Sequence, residues 1–255
     1  MMKKIFLFLS LLSFIFASDK TIVIGATPTP HAEILKFSKP LFEARGYKLE
    51  IKEFNDYLIP NFALNDKDLD ANFYQHKPFL DDFNKNKNTN LVSIEHILLV
   101  PMAVYSNKFK DIANIKNGAS IAIPNDPTNE SRALDLLEKA NLIKLENKEN
   151  KTPLDIKENS KKLKFIELKA AQLPRALGDA DLAVIPTNYA LGAGLNPLKD
   201  GLIIESKDSP YAIVIAVRKG DEDKEKSKIL KDVLRSKEIK EYIEKTYQGS
   251  VIPTF

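Results

Sequence analysis

The chain of 255 residues contains no cysteine and no tryptophan, and only 9 glycines. Without cysteine it can hold no disulfide, thiol nucleophile, zinc–thiolate site or iron–sulfur cluster. The histidines, His31, His76 and His96, are far apart in sequence and form no metal-binding motif. The glycines build no phosphate-binding loop, and no G-x-S-x-G motif marks a serine nucleophile. These absences favour a protein that is not an enzyme and that uses no cofactor and no metal.

A charge excess of one sign is also missing. Lysine and arginine number 38 against 35 aspartate and glutamate residues, a formal net charge of +3. A protein that binds nucleic acid usually carries a basic face, so this small excess argues against nucleic acid as the main partner.

The N-terminal segment is typical of a secretory signal peptide. Lys3 and Lys4 precede an uncharged run, Ile5–Ala17, which ends in small residues. A membrane-spanning helix needs about 20 apolar residues, so the run is too short to span a bilayer. We therefore assign residues 1–18 to a signal peptide and expect a periplasmic protein. The alternative is an uncleaved anchor.

Short apolar runs alternate along the rest of the chain with helical patterns, which predicts an α/β architecture. A strand–turn–helix pattern begins at residue 21 and starts again at residue 120, which indicates two lobes, each a mixed sheet flanked by helices. Extended segments near residues 100–106 and 204–216 are the candidate crossings between them. We expect a discontinuous first lobe of residues 19–105 plus 206–255, a second lobe of residues 106–205, and a ligand cleft between them.

Two segments carry residues suited to ligand binding. Residues 70–79 bring three aromatic residues and His76 together, which can wall an apolar pocket, although Phe73 and Phe79 can equally be core residues. Residues 125–132 read as a helix start, where free backbone N–H groups and Arg132 can meet a carboxylate. An arginine near a helix start is, however, more often a surface residue.

The same segments resemble the NlpA/MetQ family of methionine-uptake binding lipoproteins, which serve ABC transporters. The matching stretches follow in order through nearly the whole chain after residue 20: GATPTPHAE at 25–33, NDYLIPN at 55–61, DANFYQH at 70–76, NDPTNESR at 125–132, QLPR at 172–175 and DSPY at 208–211.

The resemblance implies a two-lobed periplasmic binding-protein fold, type II-like, that closes on its ligand. In family members the arginine of N-D-P-T-N-x-x-R holds the ligand carboxylate, and Arg132 matches it. Aromatic residues and a histidine enclose the thioether side chain. Their counterparts here are Tyr57, Phe73, Tyr74 and His76. The resemblance further implies an ABC permease in the inner membrane as partner, and we expect a monomer.

Three departures from the family pattern affect these expectations. The usual lipid-bearing cysteine is absent, which predicts a free periplasmic protein. Pro186 and Ile213 stand where the family carries two asparagines that contact the polar end of the ligand. We therefore hypothesise a ligand with a carboxylate but a blocked, absent or displaced amine: an N-acylated methionine, a short peptide or an organic acid. The alternative is that Asn129, Asn188 or water replaces the amides and that free methionine binds.

The sequence thus predicts the substrate-binding protein of an ABC importer for methionine or a methionine-like carboxylate. A different class of function stays open, namely an exported surface antigen or adhesin built on the same fold. That protein would bind no small molecule.

Overall fold

The computed structural model describes residues 20–255, and the predicted signal peptide therefore lies outside the described residues. The strands are β1 (Thr21–Ala26), β2 (Lys48–Glu53), β3 (Ala71–His76), β4 (Leu91–Leu99), β5 (Met102–Tyr105), β6 (Ser120–Pro124), β7 (Lys144–Leu145), β8 (Ile156–Glu158), β9 (Lys164–Leu168), β10 (Leu182–Pro186), β11 (Ile203–Ile204), β12 (Ala212–Arg218) and β13 (Ile252–Pro253). The helices are α1 (Glu33–Glu43), α2 (Ile59–Asn65), α3 (Lys77–Lys87), α4 (Pro127–Lys139), α5 (Leu173–Ala176), α6 (Thr187–Gly192), α7 (Pro197–Asp200), α8 (Glu225–Leu234) and α9 (Lys237–Tyr247).

The first lobe is a mixed sheet with the strand order β13-β4-β12-β3-β1-β2. Strands β1, β2 and β3 are parallel, whereas β12 is antiparallel to both β3 and β4. Apolar side chains of α1, α8 and α9 pack on one face of this sheet, and those of α2 and α3 pack on the other. Because both faces are covered, every residue of β3 is buried.

The second lobe is a sheet with the strand order β11-β5-β10-β6-β9. Strands β6, β9 and β10 are parallel, so their carboxyl ends lie at one edge. Helix α4 packs on one face, and α5 and α6 pack on the other. The predicted α/β class with two helix-flanked sheets is confirmed.

The chain passes between the sheets twice. The first passage is Val100–Pro101, between β4 and β5, and the second is the segment from Glu205 to Tyr211, between β11 and β12. The sequence-based division assigns residues 102–105 to the first lobe, but β5 pairs with β10 and β11 of the second sheet. Pro101 has no backbone N–H to donate, which suits a break between two strands.

The charged sequence after Gly220 predicts a helical tail from Asp221 to about Tyr247, and the C-terminal region is largely helical. It forms two helices, α8 and α9, because Ser236 interrupts the run and its hydroxyl accepts a hydrogen bond from the backbone N–H of Ile239. The segment then continues into β13, where Ile252 and Pro253 pair with Leu99 and Leu98 at the edge of the first sheet.

No helix within residues 20–255 combines the length and the apolar character that crossing a bilayer requires.

Candidate functional site

A cavity lies between the two lobes, where the carboxyl ends of their parallel strands face each other. Both lobes and the first passage between them contribute its lining: His31, Tyr57, Tyr74, Gln75, His76, Phe79, Val100, Asn129, Arg132, Pro186, Asn188 and Ile213.

Aromatic rings form the apolar wall that the first lobe contributes. The Tyr57 and Phe79 rings meet edge to face with their centroids 5.9 Å apart, and Phe79 meets Tyr74 in the same way at 6.5 Å. The Tyr74 hydroxyl donates to the backbone carbonyl of Tyr57 at 2.7 Å. Burial raises the pKa of both tyrosines well above the usual value, so their hydroxyls stay protonated. The result is a rigid, uncharged surface suited to an apolar side chain.

His76 ends β3 and caps the next helix. Its Nδ1 accepts a hydrogen bond from the backbone N–H of Phe79 in α3 at 3.1 Å. The ring proton must therefore reside on Nε2, which lies 3.1 Å from the Asn129 Oδ1 of α4 and donates to it. Burial, together with the nearby Arg132, lowers the pKa of His76 to about 3, so the ring is neutral at physiological pH. The imidazole thus joins the two lobes without bringing charge into the cavity.

Arg132 enters the cavity from α4, whose start is fixed by local chemistry. The Asp126 carboxylate caps the helix by accepting from the backbone N–H of Asn129 at 3.0 Å, and Pro127 occupies the first turn. The helix therefore begins at Pro127, within the segment 125–132 that the sequence indicates as a helix start. This places the Arg132 side chain, only 3% exposed, against the passages between the lobes.

The guanidinium of Arg132 is already engaged along one edge. Its Nε donates to Glu205 Oε1 at 2.9 Å, and its Nη2 donates to Glu205 Oε2 and to the Val100 carbonyl. The Tyr211 ring lies with its centroid 4.5 Å from the guanidinium carbon. No described residue in 20–255 forms a hydrogen bond with Nη1, which leaves this corner of the fork for a ligand oxygen.

Glu205 is a residue that the sequence interpretation missed. Besides the guanidinium, it accepts from the backbone N–H of Met102 at 3.0 Å and from the Ser209 hydroxyl at 2.8 Å. Arg132 and these hydrogen bonds hold the pKa of this buried carboxyl below its usual value. Its place within the predicted crossing at residues 204–216 was the signal that the sequence offered. Through Glu205, Arg132 is tied to both passages.

The structure brings all the sequence-predicted site residues except one to the cavity lining. Phe73 is the exception: it is fully buried in the core of the first lobe, where its ring packs edge to face on His31 at 5.2 Å. This position agrees with the alternative given in the sequence analysis, that Phe73 is a core residue. His31, Gln75 and Val100 line the cavity without having been singled out as site residues.

A hydrogen bond between Tyr57 and Asn188 also links the lobes. The Tyr57 hydroxyl donates to Asn188 Oδ1 at 2.7 Å. We expect Tyr57→Phe to weaken ligand binding about threefold to tenfold while leaving the unliganded fold intact, because it removes one hydrogen bond that the closed cleft makes. Calorimetric titration measures the effect. Tyr47→Phe, directly before β2 and outside the cavity lining, is the control, and equal affinities of the two variants would contradict the expectation.

Within residues 20–255 no group of three or more histidine, cysteine, aspartate or glutamate side chains is placed to hold a metal ion. The cavity lining therefore offers hydrogen-bonding groups, the Nη1 end of the Arg132 guanidinium and aromatic rings.

Known proteins share both the sequence and this architecture. The family model described as NlpA lipoprotein matches residues 22–255. The methionine-binding lipoprotein MetQ of Bacillus subtilis is 44% identical over 246 residues, covering 93% of this chain and 89% of the relative. The structure of a nutrient-binding protein from Burkholderia cenocepacia bound to methionine superposes with a TM-score of 0.90 at 46% identity, covering 92% of this chain and all of that one.

A periplasmic substrate-binding protein of an ABC transporter from Coxiella burnetii is 43% identical, with a TM-score of 0.88, over 91% of this chain and 99% of its own. These matches extend over nearly the whole described chain and agree with the motifs read from the sequence. The chain belongs to the NlpA lipoprotein family.

Proposed function

We propose that this chain is the exported substrate-binding protein of an ABC importer and that it binds methionine or a methionine-like carboxylate. The observation that carries the proposal is the lining of the cavity between the lobes, with the Arg132 guanidinium on one wall and aromatic rings on the other. The relatives' names, methionine-binding lipoprotein MetQ and a nutrient-binding protein bound to methionine, support the same class of ligand.

Each wall suits one end of such a ligand. A carboxylate accepts from Nη1 of Arg132, and an apolar thioether side chain packs on Tyr57, Tyr74 and Phe79, where sulfur near ring edges is favourable. Burying a side chain of methionine size contributes about 1.5–3 kcal/mol. The other end of the cavity is less polar, because Pro186 and Ile213 offer no side-chain hydrogen bond. A ligand whose amine is blocked, absent or displaced suits it.

Closure of the two lobes is the step that the ligand drives. Arg132, Asn129 and Asn188 belong to the second lobe, whereas Tyr57 and His76 belong to the first. A ligand that touches both sets stabilises the closed arrangement by its differential affinity for the closed and open forms. We propose that a membrane permease recognises the closed form in the periplasm. In closing, residues 20–101 and 205–255 move against residues 102–204. The protein works as a monomer and catalyses no reaction.

A thermal-unfolding screen with amino acids, N-acyl amino acids, short peptides and organic acids tests the proposal. A ligand present at 100 times its dissociation constant stabilises the folded state by about 2.7 kcal/mol, which is readily measured. We expect methionine or a methionine derivative with a free carboxylate to raise the melting temperature, and the corresponding methyl ester to have little effect. If no compound in the screen stabilises the protein, the proposal fails and the surface-antigen alternative gains support.

A further inference from the structure

Most polar groups around the cavity are occupied by one another. Gln75 and Asn61 exchange two hydrogen bonds, each of 2.7 Å. The His76 ring donates to Asn129 and accepts from Phe79, and the Tyr57 hydroxyl donates to Asn188. These groups shape the cavity, but their mutual hydrogen bonds leave few polar atoms to meet a ligand.

His31 is different, because one of its ring nitrogens has no partner. The residue is 1% exposed and lines the cavity, and its Nε2 is buried without a hydrogen bond to any described residue. Its Nδ1 lies 2.7 Å from the hydroxyl of Thr27, itself 1% exposed. A polar atom this deeply buried is destabilising when it has no hydrogen bond, unless a bound molecule supplies the partner.

The hydrogen bond to Thr27 assigns the ring proton. If the Thr27 hydroxyl donates to Nδ1, the only unsatisfied group of the pair is Nε2–H. In the reverse arrangement both the hydroxyl hydrogen and Nε2 would be unsatisfied. Burial lowers the pKa of His31 to about 3, so the ring is neutral and carries a single proton. Nε2 is accordingly a hydrogen-bond donor.

The position of His31 indicates which end of a ligand it meets. The turn that carries it, Pro28–Ala32, packs against α6, which follows Pro186 and contains Asn188. His31 therefore lies at the end of the cavity where Pro186 offers neither an N–H nor a side-chain polar atom. A ligand acceptor placed there would receive a hydrogen bond from Nε2–H of His31.

A ligand ammonium, in contrast, has no anionic partner at this site. No carboxylate lines the cavity. Both Glu205 oxygens are already occupied by Arg132, Met102 and Ser209, and Asp126 caps α4 by accepting from Asn129. A buried ammonium without a counter-charge, placed near the Arg132 guanidinium, is strongly disfavoured.

We propose that His31 is a ligand-binding residue whose Nε2–H donates to an acyl oxygen, and that the ligand is an N-acylated amino acid with a methionine-like side chain. This inference rests on the proposed function, with the ligand carboxylate on Nη1 of Arg132. The hydrogen-bond donors at His31 and Arg132 then meet two acceptors of the ligand, the acyl oxygen and the carboxylate.

Isothermal titration of protein that has been unfolded and refolded, to release any co-purified molecule, tests the inference. The ligands are L-methionine, N-formyl-L-methionine and N-acetyl-L-methionine. We expect at least one N-acyl compound to bind the unaltered protein at least about tenfold more tightly than L-methionine, the factor that one buried hydrogen bond can supply. Tighter binding of free methionine than of both N-acyl compounds would overturn the inference and leave the proposed function standing.

Variants at position 31 test the residue itself. His31→Phe keeps a ring against Phe73 but removes the donor, and we expect N-acyl affinity to fall about tenfold while L-methionine affinity changes less than about threefold. His31→Gln retains a donor and is expected to keep most of the N-acyl affinity. His96→Phe, an exposed histidine on β4, is the matched control. Unchanged N-acyl affinity in the folded His31→Phe protein would exclude the assigned contact. If neither methionine nor its derivatives bind at all, the proposed function itself fails.

Discussion

Replacing Arg132 by methionine is expected to abolish ligand binding and to destabilise the protein at the same time. The substitution leaves the Glu205 carboxylate, whose side chain is 8% exposed, without its cation. Removing one partner of a buried ion pair typically lowers the free energy of unfolding by about 3–5 kcal/mol. Urea denaturation measures this loss, and calorimetric titration with methionine and N-formyl-methionine measures the binding.

A second substitution separates the two effects. In the double variant Arg132→Met with Glu205→Leu, neither charge is buried, and apolar replacement of a buried ion pair is often neutral or stabilising. We expect the double variant to recover most of the lost stability and to remain unable to bind. Recovery of ligand binding in the double variant would show that Arg132 serves the fold and not the ligand.

Stability should also fall as the pH rises, because of a buried carboxyl in the first turn of α4. Glu130 is 6% exposed and its Oε1 has no hydrogen-bond partner among the described residues. Burial, and then the neighbouring Glu167, Asp126 and Asp155, raise its pKa to about 7. A carboxyl whose pKa is raised on folding stabilises the folded state only while it is protonated. This stability is present below the ordinary pKa of glutamate and is lost as the pH rises towards 7.

The raised pKa of Glu130 determines how strongly the free energy of unfolding depends on pH. From pH 5 to pH 8 the free energy of unfolding should fall by about 2 kcal/mol through this group alone. Glu130→Gln should remove that part of the pH dependence, whereas Glu149→Gln, at an exposed position, should retain it. Urea denaturation at the two pH values checks the expectation. An equal change in the free energy of unfolding between pH 5 and pH 8 for Glu130→Gln and the unaltered protein would refute it.

Much of the fold could be predicted from the sequence because its signals are local. Apolar runs such as residues 120–124 and 182–185 match buried parallel strands within a residue or two, and Pro101 marks the break at the first passage. Helix and strand ends set by side-chain caps were harder to place. The hydroxyl of Ser236 separates α8 from α9, and His76, the last residue of the fully buried strand β3, caps α3.

Site residues that belong to a sequence motif could be predicted. Residues that reach the site only through tertiary contacts were harder to predict. Arg132, Tyr57 and His76 stand in recognisable segments and line the cavity. Glu205 is 73 residues from Arg132 in sequence, and only the folded chain shows that it occupies one edge of the guanidinium. The unpartnered nitrogen of His31 is likewise invisible in the sequence, because it depends on which neighbours the ring does not reach.

Strand β13 also has a consequence for the behaviour of the molecule among its own copies. An uncovered edge strand presents free N–H and C=O groups onto which another chain can add a strand, and this is a common route to aggregation. Here β13 covers the side of β4 away from β12, is only two residues long and ends in Pro253, which has no N–H to donate. Strand β13 thus closes the Leu98–Leu99 end of this edge to a further strand.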